Sequence, residues 1–192
     1  MASDITAHIL DEISHITAWD KLEQEHIADA SAWVASGVNI FRIAKPDKPP
    51  KHLVSYFVLI DPDHRSLLLG DHIKAQLWLP NGGHVEPNEH PRDTVIRECL
   101  EEVYRPAVFL RQSKHPFFIT CTETGGLTPG HTDVSLWYLL RGSIHDPLSF
   151  DRGEFTDMNW FSFQEVLESH PAIFDPNMHR FTQKLMQYMN TG

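Results

Sequence analysis

A chain of 192 residues with 41% hydrophobic content suits one domain with an appendage and is too apolar for disorder. Its formal net charge of −10 argues against non-specific binding to nucleic-acid backbones, and would repel a free nucleotide unless cations offset it locally. Cys99 and Cys121 are the only cysteines, no apolar leader follows Met1, and no run approaches ~18 apolar residues. These features predict a cytoplasmic protein in a reducing compartment, without a disulfide framework, signal peptide or membrane partner.

In chain order, Ile5, Ile9 and Ile13 recur every four residues and predict a first helix. Asp20-Lys21-Leu22-Glu23 reads as the capping box of a second, with Ile27, Ala30 and Val34 as its apolar stripe and Gly37 placed to close it. Prolines crowd the connector 45–51 and disfavour helix and strand alike. Residues 1–45 are therefore expected to be a helical N-terminal extension, and 46–192 the main domain with a C-terminal helix. The extension is either a packing cap on the core or a lid or dimer element beside the substrate. Beyond the connector, Val54–Ile60, Leu67–Leu69 and Leu77–Leu79 read as strands, the last leading into a Gly82-Gly83 turn.

Pro91 fits the first position of the next helix, and Asp93 favours its dipole. Val95, Ile96, Cys99, Leu100 and Val103 are expected to bury the side facing the sheet. Segments 117–119, 134–140 and 155–161 predict further strands, the first two joined by the Gly- and Pro-bearing stretch 124–130. Segments 163–169 and 176–189 look helical. Mixed strands with helices before, among and after them imply a layered α/β domain.

On the helix after Pro91, Glu98, Glu101 and Glu102 stand at i, i+3 and i+4, so they share a face. Each like-charge pair costs about 0.2–0.5 kcal/mol on an unpartnered helix. A divalent cation reverses the sign of that cost, and hard oxygen ligands suit Mg²⁺, or Mn²⁺ as a substitute. A bare acidic cluster is ordinarily a solvated face. Here a glycine pair precedes it, and glycines after a strand allow close backbone approach to a ligand. Glu89 and Arg97 are spaced to pair and brace the glycine turn against the helix. His84 follows the glycines and His72 and Lys74 precede them, within reach of a phosphate. The 13 histidines include no His-x3-His, and no Cys-x-x-Cys occurs, so sequence-local zinc spacing is absent.

The order Gly83-x5-Glu89-x7-Arg97-Glu98-x-x-Glu101-Glu102 resembles the signature box of the Nudix hydrolases, with six fixed positions at the right spacing. The resemblance implies an α/β/α sandwich with a mixed sheet. It also implies metal-dependent water attack on a pyrophosphate bond of a nucleoside diphosphate linked to another group, a nucleoside triphosphate first among the choices. On that pattern Glu98, Glu102, Arg97 and Glu89 are the catalytic set. Glu98, Glu101, Glu102 and Gly83 hold Mg²⁺, and Gly82, Gly83, His84, His72 and Lys74 meet the substrate. The general base is one of Glu98, Glu101 and Glu102 or an acid outside the box, of which Glu154 leads, ahead of Glu123 and Asp133. The expected partner is a small-molecule nucleotide bound to a monomer or homodimer, with no nucleic acid. Relatives that bind nucleotides as regulatory modules usually lose box carboxylates, which this chain retains; a non-catalytic module is the alternative. Trp78, Phe118, Trp137 and Tyr138 are either base-stacking or core aromatics. The family usually has Gly where this chain has Tyr104. Since Pro106 biases Arg105 towards extended backbone, the helix is expected to end through Arg105-Pro106 with a negative φ at Tyr104.

Overall fold

A computed structural model describes residues 2–44, 48–110, 114–124 and 130–191. Two helices, α1 (Ala2–Ser14) and α2 (Lys21–Ala35), come first. They are followed by strands β1 (Lys51–Asp61), β2 (Ser66–His72), β3 (Leu77–Leu79) and β4 (Asn81–His84), and then by helix α3 (Pro91–Val103). Strands β5 (Phe118–Glu123), β6 (Thr132–Arg141) and β7 (Phe155–Ser162) precede helices α4 (Phe163–Glu168) and α5 (Met178–Asn190). The central part of the proline connector, 45–47, and most of the predicted joining stretch, 125–129, lie outside the described residues.

The strands form one seven-stranded mixed sheet. Its main path runs β3-β2-β1-β6-β5, with β4 on β1 and β7 on β2. Among the seven strands of the described residues, β1 and β6 alone pair in parallel, in register from Lys51 opposite Thr132 to Ile60 opposite Arg141. Successive strand side chains point to opposite faces, and β1 shows the result. Leu53, Phe57 and Leu59 join a core with α1, α2 and α3, while Val58 and Ile60 join a second core with α4 and α5. The domain is thus an α/β sandwich with helices on both sides. Phe118, Trp137 and Tyr138 are fully buried in these two cores, which takes them out of a base-stacking role.

Ile9 and Ile13 of α1 are fully buried, and Ala30 and Val34 of α2 nearly so, in the same core as α3. Burying each isoleucine contributes about 1.5–3 kcal/mol. At the start of α2, Asp20 accepts from the Glu23 amide at 2.8 Å. The expected return bond of a capping box goes one residue further back, because Glu23 Oε2 accepts from the Trp19 amide at 2.6 Å. Glu23 has a reason to be displaced. It is fully buried, and its Oε1 accepts from the Lys184 ammonium of α5 at 2.8 Å and from the Ile119 amide of β5 at 3.3 Å. Asp20 is gripped by Arg180 through two bonds of 2.6 and 2.8 Å, which holds its carboxyl down to about 2.

Removing one partner of a buried ion pair leaves the other charge uncompensated. Glu23→Ala should therefore cost about 3–5 kcal/mol in urea unfolding, and an effect under about 1 kcal/mol would contradict the pair's role.

Helix α3 begins as expected, with Pro91 at its first position and His90 as N-cap, accepting from the Arg92 amide at 3.1 Å. Its packing face is narrower than the sequence suggests. Val95, Cys99 and Val103 are buried, but Ile96 and Leu100 are 42% and 59% exposed. The helix reserves its other near face for Glu98 and Glu102. Its end also departs from expectation. Tyr104 adopts φ 52° and ψ 37°, the left-handed conformation, instead of a negative φ. The reversal at Tyr104 lets the chain run back alongside β6, where Arg141 N donates to Val108 O at 2.6 Å. Arg105 meets Asp146 at 3.1 Å on the way.

An L-residue in this conformation costs roughly 1–2 kcal/mol, and Tyr104 is 56% exposed, with little packing to lose. Tyr104→Gly should raise stability by about 1 kcal/mol after the added unfolded-state entropy of glycine. A lower denaturant midpoint for Tyr104→Gly would show that the ring holds the turn.

Candidate active site

The site is built where β4 is squeezed between β1 and α3. The predicted glycine turn is in fact a strand, with Tyr56 opposite Gly82 and Ser55 opposite Gly83. Glycine is required at Gly82, and at Gly83 any side chain would displace the Glu98 carboxylate. Gly82 has φ 133°, and a methyl group there would fall on the backbone of Ser55 and Tyr56. A methyl on Gly83 would fall on the Glu98 carboxylate. Glycine in a strand marks such close approaches.

The three carboxylates of α3 have different environments. Glu102 is 3% exposed, and its Oε2 accepts from the Gly82 amide at 2.8 Å. That amide is therefore engaged by Glu102 in this structure and not turned to a phosphate. Glu98 is 14% exposed at its side chain and accepts from Arg97 Nη1 at 2.6 Å. Glu101 is 59% exposed, with Arg97 Nη1 at 3.5 Å. Burial raises the Glu102 carboxyl well above its ordinary value, helped by the charges of Glu98 and Glu154 and opposed by the Gly82 amide. Burial also raises Glu98, against the pull of Arg97. Two desolvated carboxylates side by side bind protons too tightly for an ordinary surface, and a dication would take the proton's place.

The Glu89–Arg97 pair forms as the spacing predicts, as a two-pronged contact with both bonds at 3.0 Å. Glu89 also accepts from Thr94 Oγ1 at 2.7 Å and from the Glu86 amide at 3.0 Å. Burial works to raise this carboxyl, but the Arg97, Glu86 and Thr94 bonds outweigh it and hold it below the usual range. Arg97 Nη2 reaches the His84 carbonyl at 3.3 Å, so one guanidinium ties the loop, the end of β4 and Glu98 together. Thr94 was not singled out in the sequence. Its hydroxyl matters only because the loop returns Glu89 onto the helix, and no motif position announces that.

Glu154 is exposed at the mouth of β7, and its charge acts on Glu98, Glu102 and His72. Its carbonyl accepts from Ile73 N at 3.0 Å, fixing it beside the turn after β2. His72 closes that turn, with Nδ1 accepting from the Lys74 and Ala75 amides at 3.2 and 3.1 Å. Lys74 is exposed at the same turn. Glu123 is exposed at the far end of β5, and Asp133 lies among histidines with its Oδ1 3.0 Å from His52 Nε2. His84 turns its ring inwards. Its Nε2 lies 3.0 Å from His52 Nε2, and burial beside Arg42 pushes its pKa down to about 3.

Tyr56 and Asp175 were also missed in the sequence. Burial raises the Tyr56 hydroxyl well above its ordinary value, with the charges of Asp133, Asp175 and Glu102 adding to it. Burial lifts Asp175 to about 6. Nothing in their spacing links these residues, because they come from β1 and from the loop before α5. Cys99 is free and buried, its thiol pushed up to about 12, so it packs as a hydrophobe.

A model of the NUDIX domain matches residues 50–185. Among solved structures, the chain is similar to a NUDIX-family hydrolase from Clostridium perfringens. The TM-score is 0.57 at 22% identity, over 71% of this chain and 97% of that one. It is similar to a C. elegans Ap4A hydrolase, with TM-score 0.57 at 16% identity over 73% of this chain and 97% of that one. It is also similar to the E. coli dihydroneopterin triphosphate pyrophosphohydrolase, with TM-score 0.54 at 15% identity over 80% of this chain and 100% of that one. A comparison with curated protein sequences finds no match. The chain belongs to the NUDIX family and is a Nudix-type pyrophosphohydrolase, acting on pyrophosphate bonds of nucleoside diphosphate-X compounds. None of the described helices is long and apolar enough to cross a membrane.

Proposed function

We propose that this chain is a Mg²⁺-dependent pyrophosphohydrolase, with Mn²⁺ as a substitute, whose substrate is a nucleoside triphosphate. The observation that carries the reading is the pair of a largely buried Glu98 and a buried Glu102, with raised proton affinity beside a braced glycine strand. The donor set is all carboxylate and backbone oxygen, which fits a hard dication. Glu98, Glu101 and Glu102, with Gly83, would hold it. Bound there, Mg²⁺ would neutralise phosphate charge and lower the pKa of a bound water.

The protein's own residues supply the rest. Glu154, exposed just before β7 with its charge felt at Glu98 and Glu102, would take the proton of the attacking water. Arg97 does not need to touch the substrate; it fixes Glu98 and the loop. Lys74 and His72 sit on the turn beside Glu154, where a phosphate tail would extend. The N-terminal helices serve as a cap beside this loop, since Glu12 of α1 lies 3.7 Å from His90 at the start of α3.

A screen of nucleoside triphosphates, nucleotide sugars and dinucleoside polyphosphates with Mg²⁺, followed by product analysis, tests the reading. Release of pyrophosphate or phosphate from a triphosphate supports it. Turnover confined to the other classes corrects the substrate. Nucleotide binding without turnover in Mg²⁺ or Mn²⁺ would overturn the catalytic reading in favour of a binding module.

A further inference from the structure

Four side chains from three strands and a loop meet one residue beyond the glycine pair. His52 lies near the start of β1, with Asp133 of β6 directly opposite it in parallel register. His84 ends β4, and His131 immediately precedes β6. His52 is fully buried, and the His131 and Asp133 side chains are 9% and 13% exposed. His52 Nε2 lies 3.0 Å from Asp133 Oδ1 and 3.0 Å from His84 Nε2. His131 Nε2 lies 3.5 Å from the same Asp133 oxygen. The ligand atoms of His52, His131 and Asp133 all lie within 4.8 Å of one another.

Hydrogen bonds on the far side of two rings set their tautomers. His52 Nδ1 sits 3.0 Å from the Pro49 carbonyl, which can only accept, so Nδ1 carries the proton. The Thr124 hydroxyl donates to the His131 carbonyl at 3.1 Å, which leaves its oxygen to accept from His131 Nδ1 at 3.0 Å. Both neutral rings then turn an Nε2 lone pair towards Asp133. Asp133 Oδ1 is buried and accepts no well-aligned hydrogen bond, although nitrogens stand at 3.0 and 3.5 Å. Burying a carboxylate oxygen without a well-aligned partner is costly.

A cation held among His52 Nε2, His131 Nε2 and Asp133 Oδ1 would answer it. Zinc binds imidazole nitrogen and carboxylate oxygen at roughly 2.0–2.2 Å in a tetrahedron, whose edges are then about 3.3–3.6 Å. The separations of Asp133 Oδ1 from His52 Nε2 and His131 Nε2, 3.0 and 3.5 Å, are close to those edges. Imidazole donors favour a transition metal over Mg²⁺, and the Asp133 carboxylate disfavours a phosphate. A backbone carbonyl or hydroxyl behind each ligating histidine is what orients such ligands.

We propose that His52, His131 and Asp133 form a binding site for a zinc-class divalent ion, with His84 packed against His52 and the site separate from the carboxylates of α3. An ion here ties β1 to β6 and fixes the His52 ring, against which His84 at the end of β4 lies at 3.0 Å. The site is a metal clamp beside the glycine strand.

Full-length protein stripped with a chelator and titrated with Co²⁺ tests this directly. The expected result is an intense visible band typical of low-coordinate Co²⁺, bleached by about one equivalent of Zn²⁺ and unaffected by excess Mg²⁺. Asp133→Asn and His131→Gln should each weaken binding by at least about 10-fold, while Glu102→Gln keeps the band. Absence of the band in the unsubstituted protein overturns the proposal. So does its survival in both Asp133→Asn and His131→Gln, or its loss in Glu102→Gln. Should the substituted chains fail to fold, histidine ¹⁵N shifts of the unsubstituted protein decide. Zn²⁺ must move the Nε2 signals of His52 and His131, and unmoved signals overturn the proposal.

Discussion

Glu102→Gln is expected to lower kcat by roughly 10²-fold or more with Mg²⁺ and to stabilise the metal-free protein. Charge stabilisation by a bound metal is worth several kcal/mol, and each 1.36 kcal/mol is tenfold in rate. Glutamine keeps an oxygen for the Gly82 amide, so β4 should stay in place. The stability gain has a definite pH dependence. In the fold the Glu102 carboxyl lies well above its ordinary value of 4.5, so the folded chain holds that proton where the unfolded chain has lost it. Its contribution is fully present below 4.5 and is lost as pH rises towards the folded value. The metal-free protein should therefore weaken relative to Glu102→Gln across that rise. Equal unfolding midpoints from acid to neutral pH, together with full activity, would remove Glu102 from the metal site. Glu101→Gln should lower kcat comparably without the stability gain, because Glu101 is largely exposed.

Arg97→Lys is expected to cost about 10²-fold in kcat with a smaller effect on stability. A lysine keeps the charge but is a point donor, whereas the guanidinium meets both Glu89 oxygens, Glu98 and the His84 carbonyl at once. Losing that fork frees the loop and lets Glu98 move. A misplacement of about 1 Å can carry such a loss. Near-normal kcat in Arg97→Lys, with the Glu89 loop unmoved, would show that charge alone suffices. Glu89→Gln should follow Arg97→Lys in direction, because it removes the same brace from the other end.

The parts of this molecule legible in the sequence are those set by local spacing. The period of four in Ile5, Ile9 and Ile13 gives α1, and Pro91 gives the start of α3. The Glu89–Arg97 pair follows from the box spacing and forms as predicted. What escaped depends on elements distant in the chain. Gly82 and Gly83 read as a turn because no local pattern says that β1 will pair with them. Ile96 and Leu100 were assigned to the core because an apolar residue does not say which neighbour will cover it. Tyr104 takes a glycine's conformation because the following segment must return to β6, a demand invisible at Tyr104 itself. The histidine spacing likewise hid the meeting of His52, His84 and His131, which requires three separate strands or strand ends.

The family-matching span, 50–185, contains Arg180 and Lys184 but not Asp20 and Glu23, the carboxylates they hold. The boundary of the family's shared segment thus cuts through two ion pairs and through the core that Ile9, Ile13 and Val34 help fill. A chain trimmed to that segment would strand a buried ammonium and open an apolar face of the sheet. Heat unfolding of the whole chain should then be a single cooperative transition, with Trp33 in the second helix and Trp160 in the sheet losing their native environments together. The unit that can be moved, fused or inherited intact is the first helix through the last.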